Sequence, residues 1–127
     1  MRSIRILYWM FTSLLALLML AASVPDVLQL PGAIAIITHL GYPVYLLPFI
    51  GTAKILAVAA VVLPGFAGLK EWAYAGIFFD VAGALYSHLS VGDGPAQWMF
   101  AFIGLILVSG SYLFFRFEQQ KSILKVP

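Results

Sequence analysis

The chain has 127 residues, of which 63% are hydrophobic and only 9% are charged, and its formal net charge is +2. Soluble domains carry about 25% charged residues, and a core of this size cannot hide so much apolar surface. The composition therefore excludes a water-soluble globular protein and predicts an integral membrane protein in contact with the lipid bilayer. The absence of cysteine excludes disulfides, thiolate metal sites and dithiol redox relays within this chain.

Four apolar segments are long enough to cross a bilayer as helices, which takes about 20 residues each. They cover about residues 4–24, 43–63, 70–90 and 96–116. Clusters of Pro and Gly, "VPDVLQLPG", "LPGFAG" and "VGDGP", separate them and predict turns. We therefore predict an all-α protein, a transmembrane four-helix up-down bundle that forms a single domain over residues 1–127.

Two segments near the N-terminus, the first predicted span and the connection that follows it, each have more than one interpretation. Residues 1–23 have the basic start, apolar core and small residues of a signal peptide. The apolar core is long for a signal peptide, and Tyr8 and Trp9 suit an interfacial anchor. We expect this helix to be retained; cleavage would leave three spans. Residues 33–43, "AIAIITHLGYP", are too short to span and predict a short interfacial helix, or one folded partly back into the bundle.

The basic residues predict the orientation. In the four-span interpretation, six of the seven lie on one side: Arg2, Arg5, Lys70, Arg116, Lys121 and Lys125. The other side carries no Lys or Arg. The positive-inside rule then places both termini in the cytoplasm and residues 25–42 and 91–95 outside. Because the basic residues flank apolar runs, they favour membrane topology over a nucleic-acid partner.

The seventh basic residue, Lys54, lies within a predicted span. Its depth, about 15 Å from the outer end of its helix, matches that of Asp80 in the next, antiparallel span. We predict a Lys54–Asp80 ion pair near the midplane, because an unpaired charge there costs roughly 2.5–3.5 kcal/mol. Three roles stay open for this pair: fixing which helices pack together, lining a ligand pocket, and moving protons or ions.

Small residues recur at helical spacing around these two charges and predict inward-facing stripes that let the helices approach closely. The stripes consist of Gly51, Lys54, Ala57 and Val61 on one helix and of Ala73, Gly76, Asp80, Gly83 and Ser87 on the next.

Four polar residues are predicted to gather on the outer side: His39, His88, Asp26 and Asp93. Two histidines and two aspartates could in principle hold a metal ion. They lack a dense ligand spacing such as HxxxH, so we predict interfacial histidines that hydrogen-bond to the loops, with no metal and no catalytic residue.

Two stretches carry a resemblance to a known family. "HLGYPVYLLPFIGTAKILAVAAVVLPG" and "LKEWAYAGIFFDVAGALYSHLSVGD" resemble the DoxX-like family of small bacterial four-helix membrane proteins, over roughly residues 6–116. The resemblance implies a multi-pass protein of the bacterial inner membrane. The relatives that give the family its name are associated with a thiosulfate–quinone oxidoreductase, and others are linked to membrane redox complexes or to assembly. The resemblance assigns no catalytic residue.

Two functions follow as expectations. The first is a non-enzymatic membrane subunit or assembly factor that has a membrane protein partner or forms a homo-oligomer and needs no cofactor. The alternative is a component of a membrane redox system that binds a quinone or another lipid-soluble ligand, with Lys54 and Asp80 in its pocket. The missing cysteines and the single ion pair favour the first.

Overall fold

The computed structural model describes residues 2–63 and 65–124, and the regular secondary structure of this part of the chain is entirely α-helix, as predicted. Its five helices are α1 (Arg2–Leu28), α2 (Pro31–His39), α3 (Leu46–Val62), α4 (Ala67–Ser90) and α5 (Pro95–Leu124). Lys125 lies outside the described residues.

Helix α1 continues beyond the break predicted at "VPD". It includes Pro25 and ends at Leu28, before Gln29 takes a left-handed conformation with φ of 53°. A proline inside a helix removes one backbone hydrogen bond and often ends the helix, but helices packed among neighbours tolerate it. The extension places Asp26 in the last turn of α1 instead of in a loop, which moves this residue to a different site.

The four longer helices form a closed ring, in which α1 contacts α3 and α5, and α4 contacts the same two helices. The short helix α2 packs at the end of α1 and α3, where Ala33 and Ile37 are buried against Leu47. Two segments of the described chain, α1 and Pro95–Gln120, are long and apolar enough to cross a membrane, and α3 is apolar but shorter.

The interior of the ring is mostly apolar, and so is much of its outer surface. Leu15, Ile77 and Val108 are each 1% exposed and form the centre of the core. Large apolar side chains nevertheless face outward on every long helix; Trp72 is 82% exposed and Phe79 is 72% exposed. Exposed apolar surface on this scale marks an interaction surface, and a lipid bilayer would cover it.

The small residues divide between the inside and the outside of the ring. Gly51 lies at a close approach of α1 and α3, where an added Cβ would sit 2.9 Å from Asp26 Cβ. On α4, however, the prediction of an inward stripe is wrong for Gly76 and Gly83, which are exposed and have open space beside them. Helix α4 buries Ile77 and Val81 instead, because these larger side chains fill the core.

Candidate functional site

Lys54 lies between two aspartates that come from different helices. Its Nζ donates a hydrogen bond to Asp26 Oδ2 on α1 at 3.2 Å and lies 3.7 Å from Asp80 Oδ2 on α4. The side chains of Lys54 and Asp26 are each 15% exposed, and that of Asp80 is 28% exposed. We call Asp26, Lys54 and Asp80 the charged triplet.

Sequence reasoning identified Lys54 and Asp80 as neighbours and missed Asp26. It assigned Asp26 to the outer polar cluster because Pro25 looked like a helix end. The close packing at Gly51 brings the last turn of α1 against α3, and this contact carries Asp26 to Lys54. No local pattern in the sequence marks this contact, because it depends on the length of α1 and on its packing against Gly51.

The other three predicted outer residues do come together, and we call them the histidine cluster. His39 ends α2, His88 lies in the last turn of α4, and Asp93 follows the turn at Gly92. His39 Nε2 and His88 Nδ1 each lie 2.7 Å from one carboxylate oxygen of Asp93. An ionised carboxylate only accepts hydrogen bonds, so the contacts assign a proton to each of these nitrogens. The cluster ties α2 to the turn between α4 and α5.

The histidine cluster should make stability depend on pH in acid. Hydrogen bonds from His88 and His39 lower the pKa of Asp93 from its ordinary value of 3.8. A carboxyl group whose pKa is lower in the folded state stabilises the fold above its unfolded-state pKa, and this contribution is lost as the pH falls through the folded-state value.

The test is to measure the melting temperatures of the purified wild type and of Asp93→Asn at a series of pH values between pH 3 and pH 7. We expect the wild type to exceed the variant near neutral pH, and the difference to shrink below about pH 4. A difference that is constant over this range would contradict the role of Asp93. The prediction that the two histidines bind no metal stays a prediction.

A buried hydroxyl network lies deeper in the ring. Ser111 Oγ is 2.6 Å from Thr12 Oγ1 and 2.7 Å from the hydroxyl of Tyr74, and it joins α5 to α1 and α4. All three residues are at most 2% exposed. Such a network satisfies each hydroxyl in apolar surroundings. The sequence held no signal for it, because its members are far apart along the chain.

Lys70 also lies elsewhere than predicted. It is in the first turn of α4 and is 7% exposed, instead of reaching into the connection between α3 and α4. Its ammonium donates to the carbonyl of Val61 near the end of α3. Carbonyls at a helix C-terminus lack partners within the helix, and a cation is favourable there. Lys70 therefore stabilises the junction of α3 and α4.

An open cleft of about 460 Å³ lies between α4 and α5. Its walls are mostly apolar and aromatic, and its residues are Glu71, Tyr74, Ala75, Phe78, Phe79, Val108, Ser109, Tyr112 and Leu113. At one end the Tyr112 hydroxyl donates to Glu71 Oε2 at 2.9 Å, and Arg116 Nη1 lies 3.1 Å from Glu71 Oε1. Neither Lys54 nor Asp80 lines this cleft, so the space for a ligand lies away from the charged triplet.

Comparison with known proteins places the chain in a family. The model of the DoxX-like family matches residues 10–111, which is most of the chain. No curated protein and no solved structure matches it. The match confirms the resemblance found in the sequence, and together with the apolar helices α1 and α5 it indicates a membrane protein. The chain therefore belongs to the DoxX-like family.

Proposed function

We propose that this protein is a multi-pass protein of the bacterial inner membrane that serves a membrane complex as a non-enzymatic subunit by holding a lipid-soluble ligand between α4 and α5. Four helices, α1, α3, α4 and α5, span the bilayer in this proposal, and both termini face the cytoplasm. A quinone is the ligand class that the proposal favours.

The cleft between α4 and α5 is the observation that carries the proposal. Its volume of about 460 Å³ falls within the range of about 300–1,000 Å³ that is usual for ligand sites. Flat rings pack well against aromatic side chains, and Phe78 and Phe79 supply them here. The hydroxyls of Ser109 and Tyr112 supply a few polar groups for orientation, as ligand sites require.

The arrangement of the cleft suits a ligand with one polar end and one apolar end. The polar contacts of Glu71 gather at one end, near the start of α4. Phe79 lies two turns further along the same helix, at a distance of about 12 Å. A ligand that enters from the lipid would place its apolar part beside Phe79 and its polar part beside Tyr112.

Filling the cleft is expected to weaken ligand binding. Ala75 lines the cleft and is exposed, so Ala75→Phe would occupy the space without disturbing the core. The test uses the whole chain in lipid nanodiscs and titrates decylubiquinone while tryptophan fluorescence is recorded. We expect saturable quenching in the wild type and an affinity about tenfold lower in Ala75→Phe, which corresponds to about 1.4 kcal/mol.

Ala59→Phe is the matched control, because Ala59 is exposed on α3 and lies outside the cleft. It should bind decylubiquinone as the wild type does. Equal affinities for Ala75→Phe and Ala59→Phe, or quenching that never saturates in the wild type, would refute the quinone proposal. Mass spectrometry of lipids retained by the same variants would then show whether the cleft holds a phospholipid instead.

The orientation can be tested with reporter fusions. Alkaline phosphatase fused after residue 127 should be inactive, and a fluorescent protein fused there should fold and fluoresce, because both results require a cytoplasmic C-terminus. Alkaline phosphatase inserted in the turn at residues 91–94 should be active. The opposite pattern would overturn the proposed topology, which depends on the uneven distribution of Lys and Arg.

A further inference from the structure

The charged triplet contains two carboxylates and only one ammonium, so its formal charge is unbalanced by one. Lys54 makes ion pairs with Asp26 and Asp80, and among the described side chains, those of residues 2–63 and 65–120, it makes no others. The three side chains are largely buried among helices α1, α3 and α4. A charge without a counter-ion is costly in apolar surroundings, and such a group responds by becoming neutral.

We propose that the charged triplet is a binding site for a single proton, and that Asp80 is the residue that carries it. In this step an O–H bond of a hydronium ion breaks, an O–H bond forms on a carboxylate oxygen of Asp80, and a water molecule is left. The step requires no oxidant, reductant or other reactant. After the step the triplet holds one carboxylate, one ammonium and one neutral carboxyl group, so its charges balance.

The distances around Lys54 distinguish the two aspartates. The ammonium donates a hydrogen bond to Asp26 at 3.2 Å, whereas its distance of 3.7 Å to Asp80 exceeds the usual hydrogen-bond length. Asp26 is therefore the closer counter-ion. Asp80 is also the more exposed of the two, so it is easier to reach from outside the ring.

Polar side chains lead from the outer end of α4 towards Asp80. Ser87 lies seven residues after Asp80, which places it on the same face of the helix at a distance of about 10 Å. Its hydroxyl is 2.7 Å from that of Tyr42, and the next residue, His88, contacts Asp93. In the opposite direction Ile77, one turn away, is 1% exposed and lies between Asp80 and Tyr74 along the helix. The hydroxyl of Tyr74 belongs to the buried network with Ser111 and Thr12, whose hydroxyls bond to one another. The proton therefore exchanges with the outer side.

No other charged group balances the triplet within the part of the chain that the structure describes. Asp26 on α1 and Lys54 on α3 are the charged groups that face Asp80. Helix α5 packs against both α1 and α4 and contributes no ion pair to it; its Arg116 pairs with Glu71.

Infrared spectroscopy of the purified whole chain can detect a protonated carboxyl group directly. Aspartate labelled with ¹³C at the side-chain carboxyl shifts the band of a protonated Asp and leaves that of a protonated Glu in place, so the wild type can be tested without any substitution. We expect one protonated aspartate at pH 7. The control Asp93→Asn removes an aspartate outside the triplet and should leave the band unchanged.

Substitutions within the triplet then have opposite effects. Asp80→Asn and Asp26→Asn each leave one carboxylate beside one ammonium, so each should lose the band. Lys54→Met leaves two carboxylates without a cation, so the band should rise about twofold as both become protonated. The proposal is overturned if the wild type shows no protonated aspartate at pH 7, or if the band persists in either aspartate variant. The proposed proton site does not depend on which ligand, if any, binds in the cleft between α4 and α5.

Discussion

Lys54→Met is expected to lower the melting temperature of the detergent-solubilised protein by roughly 10 °C. This shift corresponds to a loss of about 3 kcal/mol in the free energy of unfolding. The substitution removes the only cation within reach of Asp26 and Asp80 in the described structure. Removing one partner of a buried ion pair typically costs about 3–5 kcal/mol. The loss is reduced to the extent that the stranded carboxylates take up protons.

The loss in stability caused by Lys54→Met can be compared with the losses caused by substituting the two aspartates. Asp80→Asn should cost less than Lys54→Met, because the closer pair of Asp26 and Lys54 stays intact. The triple variant Lys54→Met, Asp26→Asn, Asp80→Asn should recover much of the loss, since it leaves no charge behind. Residues in contact show coupled effects, so losses that simply add, or equal losses for Lys54→Met and Asp80→Asn, would contradict the charged triplet.

Gly51→Ala is expected to be the second most damaging substitution. An added Cβ would lie 2.9 Å from both Asp26 Cβ and Val27 Cγ2, and 3.0 Å from the carbonyl oxygen of Ser23. These atoms belong to α1 and include its backbone, so the whole helix would have to move away. Overpacking of this kind costs about 1–3 kcal/mol. The shift would also lengthen the contact between Asp26 and Lys54.

Gly76→Ala is the matched control for this prediction. Gly76 is in the middle of α4, and apart from its chain neighbours and the backbone of its own helix no atom lies within 4 Å of the position that its Cβ would occupy. Replacing glycine with alanine in an open helix position should stabilise it by up to about 1 kcal/mol. Melting temperatures that change in opposite directions for the two substitutions would support the close packing of α1 and α3. A loss at Gly76 equal to that at Gly51 would refute it.

The sequence was most informative about helix positions. Long apolar runs separated by Pro and Gly predicted the all-α fold, because helices satisfy their own backbone hydrogen bonds. The same rule failed at Pro25, where α1 continues for another three residues to Leu28. Local turn signals compete with packing against neighbouring helices, and packing is not visible in one sequence.

The candidate sites were predictable only in part, because they too depend on how the helices pack. Lys54 and Asp80 could be matched by depth, because they lie on neighbouring antiparallel helices. Asp26 could not, because its place beside Lys54 depends on the length of α1 and on the close approach at Gly51. The cleft between α4 and α5 gave no signal, since its walls are made of the same apolar residues that face lipid elsewhere.

The unequal lengths of the helices have a consequence for the surrounding lipid. Helix α3 has 17 residues and is about 26 Å long, whereas the hydrocarbon layer is about 30 Å thick. Helix α1 has 27 residues and measures about 40 Å. In the proposed topology one flat bilayer cannot match both lengths, so we expect the longer helices to tilt and the bilayer to thin beside α3. Lys54 lies about 12 Å from the start of α3, so such thinning would bring headgroups and water towards it. Lipids with shorter acyl chains would then increase the hydration of Lys54, without any change in the protein itself.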